Sequence, residues 1–155
     1  EGHQGIAGEW GHNSLPWPVD GEWPGPDCYC GRRGCIETYV SGPGMARDHE
    51  EVTGQRLSAR EIVANAGDGD EEATASCRRY VDRLARGLAS VINVLDPEIV
   101  VLGGGMSNLP ALAEDVQTAL PKYVFSDQVA TRVLGNVHGD SSGVRGAAWL
   151  WPLGG

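Results

Sequence analysis

The order of elements along the chain predicts an α/β fold. Tyr80, Leu84, Leu88, Val91 and Leu95 step by four, four, three and four, which keeps one apolar face at the helical period. The run Glu98-Ile99-Val100-Val101-Leu102 that follows is apolar and β-branched with no polar alternation, as expected of a strand covered on both faces in a parallel or mixed sheet. Gly103-Gly104-Gly105 and another helical segment come next, and helix, strand, glycine turn and helix in succession make an α/β layer.

Residues 1 to 35 are rich in Gly, Pro and Trp, and Pro16, Pro18, Pro24 and Pro26 each oppose a helix or a central strand. This stretch is expected to be loop in need of a staple. Glu37 to Ser41 suits a short helix, Gly42-Pro43-Gly44 interrupts it, and Met45 to Val52 is helical again before Gly54. Ser58-x-x-Glu61 reads as a capping box opening a helix over about 59 to 66. That helix stops in the Gly67-Asp68-Gly69-Asp70 turn, where Asp70 caps the long helix, which in turn ends at Asp96-Pro97. Beyond the strand, Asn108 and Pro110 suit the start of a helix over about 109 to 120, Val129 to Val137 suits an edge or second strand, and Gly143 to Trp151 suits a final helix.

The 155 residues suffice for one domain that buries about two-thirds of its unfolded surface. Twelve Lys plus Arg against 21 Asp plus Glu give a net charge of −9, and no basic run offsets it, so direct nucleic-acid binding is not expected. No apolar stretch approaches the roughly 20 residues of a membrane span, and no signal peptide is visible. The opening Glu1-Gly2-His3, without an initiator Met, reads as the start of a piece of a longer protein.

Cys28, Cys30 and Cys35 lie within eight residues and Cys77 stands apart, a division that suits a metal in a reducing compartment, the cytoplasm, better than disulfides. His12 with Cys28, Cys30 and Cys35 makes His-x15-Cys-x-Cys-Gly-x-x-Gly-Cys, four donors that match the tetrahedral coordination of Zn²⁺ in closed structural sites. Gly31 and Gly34 allow the tight turns that three converging thiolates require. Such an ion would order a Pro-rich loop with few other means of satisfying its backbone. Cys77 is expected on a helix face without chemistry, and His3, His49 and His138 as surface or capping residues.

Glu9 lies three residues before His12 and Glu37 two after Cys35, so folding the loop on a metal brings both carboxylates together. Carboxylates beside an imidazole suit the alternating donors and acceptors of sugar hydroxyls. Gly103, Gly104 and Gly105 after a buried strand permit close backbone approach by a planar or phosphorylated ligand. The spacing is neither Gly-x-Gly-x-x-Gly nor a Lys-bearing P-loop, so by itself it leaves a nucleotide site and a plain tight turn equally open.

Gly8-Glu9-Trp10-Gly11-His12, Cys28 through Glu37, Asp96 through Gly105 and His138 through Ala148 closely resemble the ROK family of sugar kinases and sugar-responsive repressors, over nearly the whole chain. Asn13-x-Leu15-Pro16-Trp17 looks most like bacterial fructokinases of manno(fructo)kinase type. The resemblance implies that residues 1–155 are the C-terminal lobe of an actin-like ATPase, or ribonuclease H-like, fold. A zinc- and sugar-binding loop would lie at 8–37 and a nucleotide-side strand and turn at 98–105. It further implies that Glu9, His12 and Glu37 bind sugar, that His12, Cys28, Cys30 and Cys35 hold structural Zn²⁺, and that Gly103, Gly104 and Gly105 lie beside the adenosine of ATP.

The phosphate loop and the general-base Asp belong upstream of residue 1, in the N-terminal lobe, so the segment alone is expected to be inactive. The activity implied for the whole is transfer of the γ-phosphoryl of Mg²⁺-ATP to fructose, with mannose also accepted. Glucokinase, N-acetylglucosamine kinase and a sugar-sensing repressor are the alternatives, and dimers are common in the family.

Overall fold

Ser41 sets the first helix. In the computed structural model, which describes residues 2–150, its hydroxyl accepts from the Gly44 N–H at 3.1 Å, and Pro43 falls in the first turn of α1, Gly42–Thr53. Gly42-Pro43-Gly44 therefore starts this helix instead of interrupting one, because proline at a helix start loses no hydrogen bond. The short helix expected over Glu37 to Ser41 is a single 3-10 turn, Ile36–Thr38. The capping box is present as expected: Ser58 and Glu61 cap each other reciprocally at the head of α2, Ala59–Gly67. Asp70 accepts from the Ala73 N–H at 2.7 Å to open α3, Glu71–Leu95.

On α3, Tyr80, Leu84, Leu88 and Ile92 are buried with Met45, Ile62, Leu112, Val116, Leu120 and Val133 in one core. The expected stripe holds through Leu88 and fails at its end, where Leu95 is 70% exposed, because the last turn outruns its apolar partners among the described residues. Strand β1, Ile99–Leu102, pairs in parallel with β2, Arg132–Gly135, in the register Ile99↔Arg132 to Leu102↔Gly135. Val100 and Leu102 pack on the core, but Val101 is 60% exposed. The strand is thus covered on one face, contrary to the expectation from its composition, since among the described residues no layer lies over the other face. Between the strands a 3-10 turn, Gly105–Asn108, leads to α4, Leu112–Ala119. That helix starts later than expected, after Ala111 in a left-handed conformation, and Asn108 does not cap it. Helix α5 spans Ser142–Trp149, and Trp151 lies outside the described residues.

His49 departs from its expected surface position. It is 1% exposed, with Nδ1 2.9 Å from the Ser76 hydroxyl, because α1 and α3 pack across it. Cys77 lies on α3 against the core as expected, and burial raises its thiol pKa. Four charged residues that composition alone would leave in water, Glu22, Asp48, Arg83 and Arg86, are buried, and they join the Pro-rich segment and α1 to α3.

Candidate functional site

Backbone pairing sets up the site. The Leu15 N–H donates to the Gly34 carbonyl and the Ile36 N–H to the Asn13 carbonyl, both at 2.9 Å. This short antiparallel pairing lays His12, at the end of a 3-10 turn over Trp10–His12, beside Cys35 and the turn that carries Glu37. Cys28 and Arg32 close a knuckle, with the Cys28 N–H on the Arg32 carbonyl at 2.8 Å and the Gly31 N–H on the Cys28 carbonyl at 3.0 Å. Gly31 and Gly34 take φ of 84° and 68° in that knuckle, a region costly for residues with a Cβ.

The four expected metal donors converge. Their ligand atoms all lie within 4.8 Å of one another. Cys28 Sγ is 3.6 Å from His12 Nδ1, and Cys30 Sγ is 3.6 Å from Cys35 Sγ. A tetrahedral ion bonded at about 2.3 Å to sulfur and about 2.0 Å to nitrogen sets its donors about 3.5 to 3.8 Å apart, so these separations fit one. They do not fit a disulfide, whose sulfurs sit about 2.05 Å apart, and all four cysteines are free thiols. Burial, reinforced by the neighbouring thiols, pushes Cys35 up to about 12, whereas hydrogen bonding from the Arg32 backbone lowers exposed Cys30. An unliganded knuckle is thus unevenly set for deprotonation. With four donor atoms of these types within 4.8 Å of one another, the Cys3His set could hold a metal ion.

The imidazole of His12 has two distinct sides. Nδ1 faces Cys28 Sγ, with a Glu37 carboxylate oxygen 3.7 Å away. Nε2 points the other way, 2.8 Å from the Tyr29 hydroxyl and 3.9 Å from Glu9 Oε2. A cavity of about 300 Å³ opens on this side, with Glu9, Trp10, His12, Tyr29 and Glu37 in its walls, at the lower end of the size range for small-molecule sites. Both expected carboxylates therefore flank His12, and the Glu9 and Glu37 side chains keep 65% and 47% of their surface exposed.

Two wall residues, Tyr29 and Trp10, are not marked by ligand spacing. Tyr29 sits between two metal donors in sequence, and that was the available signal. Trp10 lies between Glu9 and His12 and packs on α3 where Gly87 leaves room for its ring.

The glycine turn is a separate region. Gly103, Gly104 and Gly105 follow β1 at its C-terminal end, and a Cβ added at any of them would meet nothing within 4 Å, leaving room for a ligand to approach. The C-terminal ends of parallel strands are where α/β sheets bind ligands. The Asn136 amide braces the turn, donating to the Leu102 carbonyl at 3.0 Å and the Ser107 hydroxyl at 2.6 Å.

Fold and site together define an α/β chain of the actin-like ATPase fold, of the kind built into sugar kinases. Its structure is similar to a ROK hexokinase from Thermus thermophilus, with a TM-score of 0.79 and 30% identity over 96% of this chain and 49% of that one. It is likewise similar to a ROK family glucokinase from Streptomyces griseus solved in complex with glucose and AMPPNP, with a TM-score of 0.80 and 27% identity over 97% of this chain and 53% of that one. The chain belongs to the ROK family, whose model matches residues 1–153. It is 41% identical over 151 residues to the N-acetyl-D-glucosamine kinases of Shigella boydii and Escherichia coli, covering 94% of this chain and 49% of each relative. The chain thus spans about half the length of the curated relatives it matches.

Proposed function

We propose that this chain is the sugar-binding, zinc-braced C-terminal part of an ATP-dependent hexose kinase, and that the preferred hexose is N-acetyl-D-glucosamine. The observation that carries the kinase reading is the convergence of Glu9, His12 and Glu37 on one cavity beside a metal-ready knuckle. Two carboxylates and an imidazole offer the acceptors and the donor that sugar hydroxyls need, and the glucokinase neighbour was solved with glucose and an ATP analogue. The preference among hexoses rests on the 41% identity to N-acetyl-D-glucosamine kinases. Fructose, favoured by the wording of residues 13–17, stands behind it and glucose.

In this reading His12, Cys28, Cys30 and Cys35 hold Zn²⁺, which braces the loop and supplies no open coordination position. Glu9, His12 and Glu37 bind the sugar, and Gly103, Gly104 and Gly105 face the adenosine of ATP. A part of the protein upstream of residue 1 supplies the general-base Asp and the phosphate loop. The γ-phosphoryl of Mg²⁺-ATP then passes in line to a hexose hydroxyl.

The test is ADP release by the complete protein with Mg²⁺-ATP and N-acetylglucosamine, glucose, fructose or mannose. The strongest response is expected with N-acetylglucosamine. A strongest response to fructose would reverse the order of substrates, and no response to any of the four, from folded and metal-loaded protein, would overturn the kinase reading.

A further inference from the structure

Tyr29 contacts the cavity side of His12. Its hydroxyl lies 2.8 Å from Nε2, and its ring stands edge-on to the imidazole, at 88° with centroids 5.0 Å apart. Tyr29 is otherwise open to solvent, 84% exposed, and the knuckle positions its backbone. Nδ1 meanwhile faces the thiol cluster, 3.6 Å from Cys28 Sγ. A neutral imidazole whose Nδ1 lone pair is turned to a metal carries its single proton on Nε2. That N–H is one donor, and it serves one acceptor well.

We propose, resting on the sugar-kinase reading above, that Tyr29 is an intramolecular competitor for the sugar at Nε2 of His12. In the free protein its hydroxyl oxygen accepts the Nε2–H that a sugar oxygen would otherwise take. Sugar binding exchanges one acceptor for the other, and the exposed ring swings out without disturbing the core. Tyr29 thus lowers sugar affinity, by an amount set by the strength of this hydrogen bond, and it makes the pocket admit only hexoses whose remaining contacts with Glu9 and Glu37 offset the exchange.

The experiment compares wild type with Tyr29→Phe in the complete, metal-loaded protein, using two readouts. The first is the ¹⁵N chemical shift of His12 Nε2 without sugar, which is expected to move on substitution; an unchanged shift means that the bond is absent and overturns the proposal. The second is the Kd for N-acetylglucosamine, glucose and fructose by titration calorimetry, expected to fall in the variant by roughly two- to tenfold, the range commanded by one hydrogen bond of ordinary net strength. Weaker or unchanged binding, with the shift moved, would make Tyr29 a sugar contact or a bystander and overturn the competitor role. Wild type that binds none of the hexoses would sink the kinase reading and the competitor role with it, while the shift would still report the bond itself. Tyr29→Ala, which removes the ring as well as the hydroxyl, is expected to tighten binding at least as much, and looser binding in it counts against the proposal.

Discussion

Arg86 and Glu22, 64 residues apart, are joined by two charge-assisted hydrogen bonds inside the protein: Nη1 to Oε2 at 2.7 Å and Nη2 to Oε1 at 2.8 Å. Their side chains are 2% and 6% exposed. The same guanidinium donates to the Trp17 carbonyl at 2.9 Å, and Arg83 reaches Glu22 Oε1 at 2.8 Å. Helix α3 therefore grips the Pro-rich segment at residues 17–22, a second fastening besides the thiol knuckle.

Replacing Glu22 with Gln removes the carboxylate that Arg83 and Arg86 share, while Arg83 keeps Asp48 at 2.6 Å and Arg86 keeps Asp82 at 3.0 Å, so the cost should fall below the about 3 to 5 kcal/mol of a buried charge left wholly unpaired. The midpoint of denaturant unfolding should fall accordingly with little change in slope.

Acid titration tests the same contact. Burial alone would raise the Glu22 carboxyl, but hydrogen bonds from Arg86, Arg83 and the Val19 N–H overcome it and lower the group from 4.5 to about 2. A carboxyl depressed in the folded state stabilises fully above its unfolded value and loses that contribution as pH falls through the folded one. Wild type should therefore lose this part of its stability between about pH 4.5 and pH 2. The Glu22→Gln variant, already weaker, should show a shallower acid slope in the same window, measured by denaturant midpoints at each pH.

Gly87 sits where α3 meets Trp10, and a Cβ there would stand 2.7 Å from Trp10 Cζ3 and 3.4 Å from Ile36 Cγ2. Gly87→Ala gains about 0.5 to 1 kcal/mol of helix propensity and loses about 1 to 3 kcal/mol to overpacking, so the net change should run from about zero to about 2.5 kcal/mol destabilising. The indole must shift, and Trp10 is a wall of the candidate sugar cavity. The expected result is a several-fold rise in KM for the sugar with KM for ATP unchanged, read from steady-state kinetics.

Metal removal should loosen residues 12–35 and leave α3 folded. Limited proteolysis after chelation is expected to cut within that segment first, and unchanged resistance there would remove the case for a structural ion. In the stripped protein an alkylating reagent should reach exposed Cys30 before Cys35, which is 1% exposed, and reloading with zinc should protect both.

Glu37→Gln in the complete protein should lower kcat/KM for the sugar by roughly 10- to 100-fold, the cost of leaving a sugar hydroxyl short of a charged acceptor. Nucleotide affinity should hold, and an equal loss of both would assign Glu37 to the fold.

Much of the site was legible because its chemistry is local. His12, Cys28, Cys30 and Cys35 carry ligand spacing in the chain itself, Ser58 with Glu61 carries its own cap, and Glu9 and Glu37 are tied by sequence to metal donors on either side. Tyr29 was legible only by position, since nothing in Cys28-Tyr29-Cys30 states that the tyrosine turns toward His12.

The sequence by itself determined the α/β order, the helix starts at Ser58 and Asp70, the grouping of His12 with Cys28, Cys30 and Cys35 as four side chains that could hold a metal, and the family, since each rests on periodicity or on spacing over a few residues. Tertiary structure alone decided that Glu22 and Asp48 lie buried against Arg83 and Arg86, that His49 is enclosed against Ser76, and that β1 is covered on one face only. These outcomes depend on which groups meet across tens of residues. A buried charge looks like a surface charge in a sequence until the fold supplies its partner.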